Sequence, residues 1–135
     1  MRLMHLITLL ACLCTMLHGC GGDDASAQPS QTVSGTAILT FYLPNEAGQM
    51  KCSASISSMG KIQINQMQKA GADQYRLNGT MSVRERTSSS ARIFVRAMLY
   101  KNGRPDGSFD FTVEVTPNNT KIVNLGMGMM LHASL

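Results

Sequence analysis

Charge and aromatic rings are scarce in this chain. Of its 135 residues, 15% are Asp, Glu, Lys or Arg, 5% are aromatic and none is Trp. The charged fraction lies well under the roughly 25% of an average soluble domain, and Ser, Thr, Asn and Gln fill its place, as in many secreted and cell-envelope β-proteins. Past residue 31 there remain one His (His132), one Cys (Cys52) and six carboxylates. That inventory argues against an enzyme, and no Gly-x-Ser-x-Gly, HExxH or phosphate-cradling loop occurs. Asp110 and Glu114 share the solvent parity of one stretch, the usual place for carboxylates rather than an acid/base pair. No apolar run reaches the roughly 20 residues that a spanning helix needs. Disorder throughout is excluded as well, because 44% of the residues are hydrophobic. The length has room for one domain, and from the missing motifs neither a cofactor nor a small-molecule substrate is expected.

The N-terminus carries an address. Met1-Arg2-Leu3-Met4-His5 is a short basic start, Leu6 to Leu17 is an apolar run, and His18-Gly19-Cys20 follows. These are the parts of an export signal over residues 1–19. Leu17-His18-Gly19-Cys20 resembles the bacterial lipobox, with His18 where that motif has a small residue. The resemblance implies that Cys20 becomes the first residue of the mature chain and carries lipid, palmitate among its acyl chains. The competing reading is an ordinary secretory signal with an incidental Cys20. Several acyl chains, at about 0.8 kcal/mol per buried methylene, hold a domain firmly where one holds it marginally. Gly21 in place of Asp after the lipidated Cys implies, by the same resemblance, the outer membrane. Residues 20–31 are small and polar around Pro29 and read as a tether of reach on the order of 5–6 Å × √n. Cys12 and Cys14 leave with the signal, so an acylated Cys20 leaves Cys52 no partner, and no disulfide framework is expected.

From Thr32 onward the hydrophobicity has period two. Met50, Cys52, Ala54 and Ile56 alternate with Lys51, Ser53, Ser55 and Ser57, and Phe109, Phe111, Val113 and Val115 alternate with Asp110, Thr112, Glu114 and Thr116. Both stretches read as strands with one buried face. Val123, Leu125, Met127, Met129, Leu131, Ala133 and Leu135 share one parity, with Gly126 and Gly128 as bulges or bends. Segments 33–43, 61–67, 75–84 and 92–101 bring the total to seven or eight strands. Turn signals separate them at 44–48, 58–60, 70–73, 102–107 and 117–119. One short helical turn has room within 63–72. The expected fold is an all-β sandwich over 32–135, immunoglobulin- or transthyretin-like, with a small closed barrel as the alternative. Ser34-Gly35-Thr36 and Asn78-Gly79-Thr80 form a weak internal echo, each expected to open a strand.

Two clusters are candidates for function. Arg84, Arg86, Arg92, Arg96, Lys101 and Arg104 fall within about twenty residues, with Glu85 the only acid among them. On the strand 92–100 one parity is Ile93, Val95, Ala97 and Leu99, a plain core face. The other is Arg92, Phe94, Arg96, Met98 and Tyr100, cationic and apolar at once. Those residue types are enriched in interface cores, so this face is a candidate docking surface for a protein partner. The competing reading is a solvated sheet face whose Arg stems cover apolar area. Nucleic acid is not expected, because no stacking-platform motif accompanies the cations. The second cluster is Met127, Met129, Met130 and His132, since soft thioethers and imidazole suit copper. In a strand, however, Met127 and Met129 share one face while Met130 and His132 share the other, and Met more often fills core. Cys52, on an apolar parity, reads as a buried, inert thiol.

The segment Leu77-Asn78-Gly79-Thr80-Met81-Ser82-Val83-Arg84-Glu85-Arg86, followed by Ala91 and the strand to Leu99, resembles a pattern of small envelope lipoproteins. These are the YbaY-like lipoproteins and the YscW-type pilotins of type III secretion systems. The shared pattern is a Gly-Thr strand, an Arg-Glu-Arg exit, a short loop and a strand beginning at Ala, about a fifth of the mature domain. Thr87-Ser88-Ser89-Ser90 stands where those lipoproteins carry a Leu-Pro-Pro loop. The resemblance implies a β-sandwich lipoprotein of the outer membrane, its domain in the periplasm, that binds a secretin subunit and assists its localisation and assembly. Periplasmic copper binding through the C-terminal cluster is one alternative function, and a surface lipoprotein acting as inhibitor or adhesin is another.

Overall fold

Alternation of apolar and polar residues builds eight strands, which the computed structural model describes over residues 31–135. They are β1 (Thr36–Tyr42), β2 (Gln49–Ser55), β3 (Lys61–Ala70), β4 (Asp73–Arg86), β5 (Ala91–Lys101), β6 (Arg104–Val115), β7 (Lys121–Gly126) and β8 (Met129–Ser134). A 3-10 turn at Pro44–Glu46 is the one helical element among the described residues. The stretch 63–72, where a helical turn had room, continues as strand to Ala70. The expected signal and tether, with Cys20, lie outside the described residues.

The strands form two four-stranded antiparallel sheets, ordered β2-β1-β8-β7 and β3-β4-β5-β6. This is the expected sandwich. Read around the molecule, the order β2-β1-β8-β7, then β6-β5-β4-β3, is that of an eight-stranded up-and-down barrel with ladders absent at two seams, β2/β3 and β6/β7. The barrel alternative is thereby corrected: five-residue connections at 56–60 and 116–120 carry the chain from sheet to sheet, where no strand pairing joins the two. Every strand neighbours its sequence successor in space or lies across a seam from it, which keeps the connections short.

The inward parities of both sheets meet in one core. Leu39 and Phe41 of β1, Leu77, Met81 and Val83 of β4, Ile93, Val95 and Leu99 of β5, Val115 of β6 and Met129 and Leu131 of β8 are fully buried. Each such side chain stabilises the fold by roughly 1.5–3 kcal/mol relative to an exposed one. Cys52 faces this core from β2, and burial pushes its thiol up to about 11.

Four edges remain, and each is blunted. β2 carries Lys51 at its centre, β3 has a Lys at either end, β6 has Pro105 beside a register shift at Leu99/Tyr100, and β7 has six residues. Features of this kind disfavour pairing edge to edge.

The C-terminal run bends where Gly126 and Gly128 were expected to bend it and so forms a hairpin of two strands, because Gly126, Met127 and Gly128 all take positive φ. Asn124 Oδ1 accepts from the Gly126 N–H at 2.9 Å and closes the bend. The Asn78-Gly79-Thr80 triplet does not open a strand but lies in the middle of β4. Gly79 is needed there because a Cβ would run into the Arg96 carbonyl and the Ala97 backbone of the neighbouring strand.

Candidate protein-docking face

The outer face of the β3-β4-β5-β6 sheet gathers the first candidate cluster. Register sets Ser82 and Thr112 on either side of Phe94, Thr80 and Asp110 beside Arg96, Asn78 and Ser108 beside Met98, and Arg76 and Pro105 beside Tyr100. All five expected residues of β5, Arg92, Phe94, Arg96, Met98 and Tyr100, therefore point one way, away from the buried Ile93, Val95 and Leu99. β5 is an interior strand of its sheet, so this row runs along the face rather than its rim.

The apolar groups in the row are framed by guanidinium groups. Arg76 lies 4.9 Å from the centre of the Tyr100 ring, and Arg84 and Arg96 lie 5.0 and 5.7 Å from that of Phe94. Arg96 also donates to Asp110 Oδ2 from Nε at 3.0 Å and from Nη2 at 2.8 Å. Arg92 Nη1 donates to Glu85 Oε2 at 3.1 Å. A bulge between Val83 and Glu85 makes the last two contacts of β4 with this face compatible, because two residues oppose one there and both Arg84 and Glu85 project outward. Both ion pairs are exposed and contribute little to stability.

The face is not fully satisfied. Asn78 Oδ1 is buried without a hydrogen-bond donor, the one such side-chain atom among the described residues. Beside it a shallow cavity of about 380 Å³ is lined by Asn78, Arg96, Met98, Ser108, Phe109 and Asp110. Met67 of β3 and Met98 of β5 add exposed thioethers to the same face.

Sequence reasoning missed the contributions of neighbouring strands. Arg76, Asn78 and Asp110 belong to the face as much as the β5 residues do. The alternation of Arg76, Asn78, Thr80 and Ser82 with Tyr75, Leu77 and Met81 signals an outward parity, but register alone puts it beside β5. The basic stretch also divides. Arg84, Arg86 and Arg92 stand at one end of the sheet, Lys101 and Arg104 at the other. There Asp73 accepts from Lys101 Nζ at 2.9 Å and from Asn102 Nδ2 at 2.8 Å. Lys101 and then Asn102 hold the Asp73 carboxyl below its ordinary range, and Asp73 and then Tyr75 raise Lys101.

The second cluster does not converge. Met129 is fully buried in the core, while Met130 and His132 project from the other side of β8. Met127 sits in the hairpin bend, 53% exposed, with its methyl group over Gly107 of β6. Its place on the core parity is corrected by the bend, which breaks the alternation. Met130 and His132 line an open groove of about 620 Å³ with Tyr42, Asn45, Glu46 and Gln49, and the His132 ring lies 4.5 Å from that of Tyr42. Among the described residues no three His, Cys, Asp or Glu side chains form a metal-ligand group. Cys52 faces inward on the sheet from which His132 faces outward.

No protein-family model, curated protein or solved structure matches this chain.

Proposed function

We propose that this protein is a non-enzymatic accessory lipoprotein of the bacterial envelope, anchored through Cys20 to the outer membrane with its domain in the periplasm. On this reading the outer face of the β3-β4-β5-β6 sheet binds a protein partner, in the manner of a pilotin that captures a secretin subunit and assists its assembly. The observation that carries the reading is the row Phe94, Met98 and Tyr100 on an interior strand, framed by Arg76, Arg84 and Arg96. Aromatic rings, Met and Arg at the centre of a face are the groups from which binding hot spots are made. The matching partner is an amphipathic segment with acidic residues: its apolar side chains lie along the row and its carboxylates meet the arginines.

The test replaces Phe94 and Tyr100 with Ser in the lipidated protein and measures secretin multimerisation in its host. Loss of multimers, with the variant folded and still at the membrane, is the expected result. Undiminished multimers retire the docking face. Mass spectrometry of the mature N-terminus tests the anchor separately, and an unmodified Cys20 thiol would remove it.

Copper binding has one observation in its favour, the shared groove of Met130 and His132. Two donors are fewer than the four that the sequence offered, and retention of Cu(I) decides the matter.

A further inference from the structure

The two ends of the sandwich differ in charge. One end holds the connections 56–60, 87–90 and 116–120, and the adjoining strand termini carry Lys61, Arg84, Arg86, Arg92 and Lys121 against Glu85 and Glu114. At the opposite end Lys69, Lys101 and Arg104 are balanced by Glu46, Asp73 and Asp106. Glu85 is committed to Arg92 at 3.1 Å. Lys61, Arg84, Arg86 and Lys121 have no carboxylate partner among the described residues. The three connections at this end contain no acid, are rich in Ser, Thr and Asn, and expose Met59, 50% accessible, on the first of them.

The same end receives the N-terminal chain. Val33 N–H donates to the Thr87 carbonyl at 2.7 Å, and Ile56 N–H to the Gly35 carbonyl at 2.9 Å. Ten residues separate Cys20 from Gln31, a span of at most roughly 40 Å when fully extended. The chain preceding Val33 therefore enters the domain at the cationic end, not the balanced one. Cations spread over both sheets, with hydroxyl-rich loops and one exposed apolar side chain between them, suit a plane of phosphates better than a groove-bound strand.

We propose that this end of the sandwich docks on anionic phospholipid, with Lys61, Arg86 and Lys121 against the phosphates and Met59 among the headgroups. Cations near a charged membrane surface each strengthen binding about fivefold, and the attraction fades within a Debye length. The inference goes beyond partner binding and does not require acylation. Its failure leaves the docking face of β5 standing, and failure of that face leaves this one.

The test uses residues 20–135 with Cys20→Ser, which keeps every described strand pairing and the whole core, since both lie within 31–135. Co-sedimentation is measured with vesicles of phosphatidylcholine alone and of phosphatidylcholine with an equal part of phosphatidylglycerol. Binding to the anionic vesicles that weakens as salt is raised is expected. Replacing Lys61, Arg86 and Lys121 with Gln is expected to weaken it roughly a hundredfold, whereas the same change at Lys51, Lys69 and Arg104 leaves it within about threefold. Because the chain has no Trp, Met59→Trp supplies a single indole, excited apart from the tyrosines, whose emission is expected to shift to the blue on anionic vesicles, and Met127→Trp at the opposite end is expected not to respond. No binding to anionic vesicles, equal binding to both kinds, equal loss in the two triple variants, or a response from Met127→Trp alone would each overturn the proposal.

Discussion

The Arg84 guanidinium lies 5.0 Å from the centre of the Phe94 ring, reaching it across the β4 bulge. The stack covers part of an aromatic ring on the sheet's outer face without adding a buried charge. An exposed cation–π contact of this kind stabilises by about 0.5–1 kcal/mol. Arg84→Gln is accordingly expected to lower the melting temperature by no more than about 5 °C while exposing more of Phe94. A thermal melt measures it, and a far larger drop would make Arg84 a structural residue rather than part of a binding face.

Gly79 makes the opposite kind of prediction. A methyl group at this position meets the Arg96 carbonyl and the Ala97 Cα, which are backbone and cannot rotate away. Overpacking of this sort typically costs 1–3 kcal/mol, and the β4/β5 ladder has little room to yield. Gly79→Ala is expected to lower stability by about 3 kcal/mol, read as a shift in the denaturant midpoint. A neutral outcome would show that β4 and β5 can part locally. Gly107→Ala is the milder comparison, because the atoms in its way are the end of the Met127 side chain, which swings aside.

Cys52 ties stability to pH. Its thiol titrates near 9.0 in the open chain and near 11 in the fold, because burial penalises the thiolate. Below pH 9 both states are protonated and this contribution is fully present. Between pH 9 and 11 the unfolded chain loses the proton first, so the folded state loses stability as pH rises, by at most about 1.4 kcal/mol per pH unit. Chemical denaturation from pH 8 to 11 is expected to show this slope, and Cys52→Ala to flatten it. Thiol-reactive probes at pH 8 are expected to label Cys52 only after denaturant is added.

Strand positions and faces were largely legible, because period-two patterns such as 50–56 and 109–115 carry their own inside and outside. The composition of the docking row was legible for the same reason. Its neighbours were not: Arg76 stacks on Tyr100 and Asp110 binds Arg96 through ladder register, which depends on hairpin geometry far along the chain. The C-terminal alternation misled at Met127 alone, since three consecutive residues of positive φ turn it out of the core while Val123 and Leu125 before the bend and Met129 and Leu131 after it keep the same inward parity. Glycine on both sides of Met127 was the available signal for that bend.

That bend also decides the expected outcome for copper. It leaves Met127 over Gly107 and Met129 in the core, so only Met130 and His132, two positions apart on β8, open onto the same groove. Residues so spaced have Cα atoms about 6.7 Å apart, and His132 already packs its ring on Tyr42. A soft ion held by one thioether and one imidazole, with only oxygen and amide groups beside them in the groove, is weakly retained. The chain from residue 20 onward with Cys20→Ser is expected to retain no Cu(I) at micromolar concentration after desalting, and Met129→Ala to cost about 2–5 kcal/mol with or without copper. Stoichiometric retention abolished by His132→Ala would instead place a metal in the groove and move the function from the arginine face to the opposite sheet.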